Sequence, residues 1–349
     1  MPMTNLENIK EILNNKLAAK PEGVLVVSPQ DLLSPQIQAG WLISLLVKMY
    51  VTHGITKNRD QVVADISSGK NRCWFAVEND RPVACAVQVA QSDGSVEIGR
   101  AVSVKPGTGS LVMLAAAVDH LQRQTTPLVA EVRVSDDFAG VPSGCATQAI
   151  CFGHLGMQPH ALVPAFNHGQ PVRQEQFLFS SNTGTGSTEP VCLPDDPRAL
   201  RLLFQTAVSL ISGGFSSRLT VGGMPETFHR PHWEVDTRPP FSLLTAATGN
   251  SNLESALKKA EAHANFTLIP METIPSNSSA IIECLNLGFV PCGFDRHPDI
   301  SGRPVLLLGK LKTGTLLAPI KIAGDFLNPI QKNAIHNIDS AFRKSLKNC

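Results

Sequence analysis

Lys105-Pro106-Gly107-Thr108-Gly109-Ser110 joins an alternating apolar run to a long apolar helix pattern, and its residue types suit an anion. Gly107 and Gly109 allow close backbone approach, Ser110 can cap the helix, and free N–H groups at a helix start form a small nest for negative charge. The same residues serve equally as a plain strand-to-helix connection. No Lys-Ser or Lys-Thr follows the glycines, which excludes a P-loop, and no Gly-x-Gly-x-x-Gly dinucleotide fingerprint is present. Upstream, Glu97 is the favoured general base: strand alternation puts it on the face of Gly99, opposite Ile98. A solvated strand carboxylate is the plainer reading. Glu131 and Arg133 alternate in "VAEVRVS" and can pair with each other or orient an acceptor. His229 and His232, with Glu226 and Asp236 nearby, have side chains that bind metals, but the His-x-x-His spacing fits neither a helix face nor a strand face. Pro231 also forbids a regular helix there. No Ser/His/Asp or Cys/His set stands in a motif context, so a nucleophilic hydrolase is unsupported.

The elements that must position these groups follow from period and punctuation. Residues 1–22 form a helical extension, and "GVLVV" is a short buried strand. Helix patterns cover 34–54, with Pro35 near the start and Gly54 beyond the end, and 59–69. Three strands follow, "RCWFAVEN", "VACAVQVAQ" and "VEIGRAVSV", joined by tight turns at "NDRP" and "SDGS". Then come the helix "SLVMLAAAVDHLQRQ", the strand "LVAEVRVS", the helix "CATQAICFGHLG" and two more strands. "SNTGTGSTEP" is poor in apolar residues and reads as part of a linker over 181–197. This divides the chain into 23–180 and 198–314, with a strand and an exposed helix as a tail over 315–349.

Composition narrows the function classes. The 349 residues are 43% apolar and 17% charged, an ordinary globular balance with ample material for a core. A formal charge of +1 gives no global field toward nucleic acid or an anionic membrane, so neither is expected as a partner. The eight cysteines include no Cys-x-x-Cys pair and sit mostly in apolar runs, as buried thiols in a reducing compartment do. The N-terminus lacks a signal-peptide run, and "AGWLISLLVKMYV" is too short to span a bilayer, which points to the cytoplasm. Tyr50 is the only tyrosine, so one common general acid is scarce.

Two segments echo each other. Leu155, Gly156, Pro159, Gly169, Pro171 and Val172 mark the first; Leu287, Gly288, Pro291, Gly302, Pro304 and Val305 mark the second. Each follows an apolar helix, which favours a duplicated unit over two similar helix ends. The second half lacks a clear counterpart of the three-strand meander at 72–104.

This order, with "VSVKPGTGSLVMLAAAVDHL", "AICFGHLGM" and "ECLNLGFVPCGF", resembles the GNAT superfamily of acyl-CoA N-acyltransferases. The likeness covers about 23–180 as a full unit and 198–312 as a partial one. It implies an α+β fold, tandem GNAT-like, with mixed, mostly antiparallel sheets flanked by helices. It also implies that two central strands splay apart to admit the pantetheine of acetyl-CoA or another acyl-CoA. Val102 and Val104 would then flank the pantetheine, and Gly107, Thr108, Gly109 and Ser110 would hold phosphate. Ser135 and Asp136 lie where the family places acceptor or CoA contacts. Two departures stand out: about five residues of the usual phosphate loop are missing, including its basic one, and the tyrosine slot holds Phe152 in the first half and Cys284 in the second. Phenylalanine cannot donate a proton, and a thiol does so only weakly.

The reading is an acyl-CoA-dependent N-acyltransferase acting on a small amine by direct attack on the thioester, with Glu97 and Ser135 as catalytic groups and the co-substrate against Val102, Val104, Phe152 and the turn. The alternatives are a non-catalytic ligand-binding or scaffold subunit of the same fold that docks to a protein partner, and a structural homodimer.

Overall fold

The computed structural model describes residues 6–29, 31, 34–50, 58–91, 94–123, 126–134, 144–167, 173–182, 191–211, 219–222, 232–238, 241–247, 252–295 and 304–347. The chain divides into two compact units, 1–157 with 180–183, and 158–179 with 184–349. The division read from the Ser/Thr/Gly-rich stretch put 158–179 with the first half; those residues group with the second unit.

The first unit opens with α1 (Leu6–Ala18), β1 (Val24–Val27), α2 (Pro35–Tyr50) and α3 (Arg59–Ser67). The meander follows as β2 (Asn71–Glu78), β3 (Arg81–Ala90) and β4 (Val96–Ser103). Asn79 and Asp80 both take positive φ, 48° and 59°, as a tight two-residue hairpin turn requires. Then come α4 (Thr108–Arg123), β5 (Leu128–Arg133) and α5 (Cys145–Gln148), which continues as a π-helical turn over Ala149–His154. The strand order is β1-β2-β3-β4-β5. Every pairing is antiparallel except β4 with β5, whose parallel connection is the α4 crossover.

Alternation sorts the two faces. Leu42 and Leu45 of α2 and Val62 and Ile66 of α3 form one core with Cys73, Phe75, Cys85, Val87 and Val89 of the strands. On the other face Gln88 donates to Ala116 O of α4 at 2.6 Å. α4 buries Leu111, Val112, Met113 and Leu114. Six of the cysteines behave as the sequence suggested: Cys73, Cys85, Cys151, Cys192, Cys284 and Cys292 are buried and form no disulfide, while Cys145 is half-buried.

The second unit contains β6 (Gln158–Asn167), β7 (Arg173–Ser181), β8 (Val191–Pro194) and α6 (Pro197–Leu203), which runs into a π-helical turn over Phe204–Val208. β9 (Leu219–Gly222), β10 (His232–Arg238), β11 (Phe241–Ala247), α7 (Leu253–His263) and β12 (Phe266–Glu272) come next. α8 (Ser278–Asn286), β13 (Val290–Phe294), β14 (Val305–Leu311), β15 (Leu316–Leu317) and α9 (Pro329–Ser345) complete it. The strand order is β7-β6-β13-β14-β12-β11-β10, with β15 beside β7, and β8 pairs β9 separately.

β10 and β11 are antiparallel, β11 and β12 are parallel across α7, and β12 meets β14 antiparallel. The start of that sequence matches β3, β4 and β5 across α4. Gly156 and Gly288, the glycines of the two echoing helix ends, both take positive φ, 62° and 83°. Two expectations change. Val191–Pro194, read as linker, is a fully buried strand. The C-terminal helix, read as exposed, buries Ala334, Ile335, Ile338 and Phe342, with Phe342 edge-on to Phe266 at 6.0 Å. Among the described residues no helix is long and apolar enough to cross a membrane.

Candidate functional site

The site grows from an irregularity in β4. Cys85 opposes Val102 and Val87 opposes Gly99, so Arg100 and Ala101 together face Ala86 in a β-bulge. Arg100 sits at φ +50°, where a side chain costs roughly 1–3 kcal/mol, and Cys85 Sγ donates to Arg100 O at 3.4 Å. Nothing in the sequence announces this, because arginine has no preference for the left-handed region.

The pairing of β4 with β5 ends before this bulge is reached. Among the described residues the β4–β5 ladder runs only over Val96↔Leu128 and Glu97↔Val129. Gly99 to Ser103 and Ala130 to Arg133 lie past its end. Glu97 stands at the last paired position. Its carboxylate accepts from Gln91 Nε2 at 2.9 Å. A Cβ added to Gly99 would lie 2.6 Å from Glu97 Oε1. The shared face of Glu97 and Gly99 was legible from alternation. Gln91, which holds the carboxylate across the hairpin, was not singled out, although the turn at "SDGS" brings the ends of β3 and β4 together.

At the open end of β4, one carbonyl organises the turn. Lys105 O accepts from Ser103 Oγ (2.6 Å), Thr108 Oγ1 (2.7 Å) and Thr108 N–H (3.3 Å), while Ser103 and Thr108 hydroxyls meet at 2.9 Å. Lys105 Nζ pairs with Glu78. Val104 N–H is used by Val83 O at 2.9 Å. The first-turn amides of Gly107, Gly109 and Ser110 cannot be met within α4 itself. Gly107 is at φ +80° with open space around it, and it alone has the freedom that close approach of an anion needs. Gly109 has another reason to be small: a Cβ there would sit 3.0 Å from Ser103 Cβ. Ser110 lies inside the first turn and donates to Gly107 O at 3.2 Å rather than capping the helix.

The remaining sequence candidates scatter. Val102 is buried in the core and Val104 is 43% exposed. Phe152 is buried in the π-helical turn, whose register shows in Leu155 N–H to Ile150 O at 2.8 Å. Such turns recur at functional sites. Glu131 is exposed and Arg133 buried. Arg133 O accepts from Gln148 Nε2 at 3.1 Å and is so close to Gly144 that a Cβ there would lie 1.8 Å away. Ser135, Asp136, Glu226 and His229 lie outside the described residues, while His232 opens β10 and Asp236 falls within it. Among the described residues no group of three His, Cys, Asp or Glu could hold a metal ion. Burial pushes the thiols of Cys73, Cys85 and Cys151 up to about 12, and raises Cys284 as well. The cysteine in the second-half tyrosine slot is therefore a core thiol.

No family model and no curated protein matches the chain. Solved structures do. An N-acetyltransferase from Staphylococcus aureus Mu50 is 9% identical, with 45% of this chain and 96% of that chain covered and a TM-score of 0.36. The ribosomal-protein-S18-alanine N-acetyltransferase from Escherichia coli is 13% identical over 45% of this chain and 92% of its own, at a TM-score of 0.32. An acyl-CoA N-acyltransferase from Pseudomonas aeruginosa is 15% identical over 45% and 97%, at 0.29.

Proposed function

We propose that the first unit binds an acyl-CoA in the opening between β4 and β5 and transfers the acyl group to a small amine. The observation that carries this is the early end of the β4–β5 ladder, at Glu97↔Val129, beside a bulged and strained β4. Unpaired strand edges give a pantetheine amide groups to bond with, and the start of α4 gives the pyrophosphate a positive helix end. Glu97, at the last paired position, is the base in this reading. An amine attacks the thioester carbon, the developing oxyanion is met by backbone N–H near the bulge, and the amine's proton passes to Glu97 directly or through one water. Phe152 has no proton to give, so the thiolate leaves as the anion and is protonated from solvent. Losing a general acid typically costs 10²–10⁴-fold, so turnover is expected to be slow. The strand pattern β10-β11-β12 across α7 also supports the reading of the second half as a degenerate copy.

A second reading, a non-catalytic ligand-binding or scaffold subunit, is favoured by the missing proton donor and by the two turn amides that protein carbonyls already occupy. Thermal shift with acetyl-CoA tests the first step. At 100 times its dissociation constant a ligand stabilises by ~2.7 kcal/mol, or roughly 5–10 °C for a unit of this size. No shift in a folded protein overturns the transferase. If acetyl-CoA binds, loss of amine-dependent thiol release in Glu97→Gln separates enzyme from binding subunit.

A further inference from the structure

We infer that the first unit carries a second ligand site: a basic pocket at the end of β4 away from the turn at Gly107, which takes a small phosphate-bearing molecule. The cavity has a volume of about 270 Å3 and is lined by Lys70, Arg72, Gln88, Ser95, His120 and Arg123 among others. Val96, where β4 begins, is in its wall, so the pocket lies roughly 25 Å along β4 from the turn at Gly107.

Among the described residues its lining carries Lys70, Arg72 and Arg123 and no carboxylate. Arg72 and Arg123 share one carboxylate: Asp119 Oδ2 contacts Arg123 Nη2 directly and stands 3.9 Å from Arg72 Nη2. Gln88 Nε2 also reaches Asp119, at 3.4 Å. Among the described residues Lys70 pairs with Asp65, at 3.9 Å. Three cations, Lys70, Arg72 and Arg123, thus stand around one small cavity. The proximity of the two guanidinium groups is felt: burial and then the charge of Arg72 hold Arg123 below its ordinary value. Burial lowers Arg72 too.

Arg72 also carries the orphaned donors. Its Nε and Nη2, the edge that grips an oxyanion with two parallel hydrogen bonds, are shielded from solvent and have no acceptor among the described residues. The side chain is 32% exposed and rests against Trp74, 5.7 Å from the ring centroid. Arg72 itself lines the cavity. The unsatisfied fork of Arg72, with the charges of Arg123 and Lys70 around the same small volume, suits a tetrahedral dianion better than a single planar carboxylate.

The test is calorimetric titration of inorganic phosphate into the full chain at constant ionic strength, with Trp74 fluorescence as a second readout. Saturable binding of one phosphate is expected, weakened at least tenfold in Arg72→Gln and in Arg123→Gln. Acetate should bind at least tenfold more weakly. Saturating acetyl-CoA should leave the phosphate isotherm unchanged, because α4's N-terminus is a different place. Absence of saturable binding, unchanged affinity in both variants, acetate as tight as phosphate, or displacement by acetyl-CoA would each overturn the inference. Should Arg72→Gln fail to fold, Arg72→Lys keeps the charge without the fork and must still weaken phosphate.

Discussion

Replacing Gly99 with alanine tests how the candidate base is held. The new Cβ would lie 2.6 Å from Glu97 Oε1, 3.5 Å from Cδ and 3.8 Å from Cγ. Ordinary contact begins at 3.4 Å, so the carboxylate must move by close to an ångström. That movement breaks the 2.9 Å bond from Gln91. A hydrogen bond to a charged acceptor contributes about 1.5–3 kcal/mol when buried; half-exposed Glu97 warrants about 1. Against this, alanine in an extended strand position lowers the entropy of the unfolded chain and returns about 0.5 kcal/mol. Gly99→Ala should therefore cost about 0.5 kcal/mol in urea unfolding, but become neutral or stabilising in a Glu97→Ala background. The change of sign is the signature of a clash with this one side chain, measured as a double-mutant cycle. If acyl transfer occurs, a base displaced by about 1 Å should lose roughly 10²-fold in turnover with acetyl-CoA binding kept. An equal cost of Gly99→Ala with and without Glu97 would refute the reasoning.

Three further outcomes are expected. Asp80→Gly relieves a positive φ in the exposed hairpin turn and should stabilise by about 0.5 kcal/mol, read as a higher urea midpoint with an unchanged slope. Gly293→Ala puts a Cβ 2.2 Å from His160 O and 2.3 Å from Ala161 Cα at φ +146°, where β13 meets β6. It should cost about 3 kcal/mol or more, read as a drop in the thermal midpoint. Burial, then the charge of Lys16, holds His154 below the ordinary imidazole value of 6.5. The folded state binds this proton more weakly than the unfolded one, so its stabilising effect is complete above pH 6.5 and fades as pH falls through the lower folded value. His154→Gln should flatten the decline in urea midpoint below pH 6.5.

By itself the sequence determined the local events. Alternating apolar runs marked β2, β3 and β4, and the Asn79-Asp80 pair marked the turn between the first two, because asparagine and aspartate tolerate positive φ. Alternation also put Glu97 and Gly99 on one face. Apolar surroundings marked the cysteines as core thiols. What the tertiary structure decided depends on neighbours far away in the chain. The bulge puts Arg100 at positive φ although arginine has no taste for it, so the constraint comes from how β4 must meet β3 while parting from β5. Gly109 resembles a ligand-facing glycine in sequence, yet its small size serves Ser103. Arg72 on β2 and Arg123 at the end of α4 share Asp119 only because the crossover helix lies on that face of the sheet. Residue pattern reports which face of an element is buried; which partner buries it, and where two strands stop pairing, is set by the free energy of the assembled sheet.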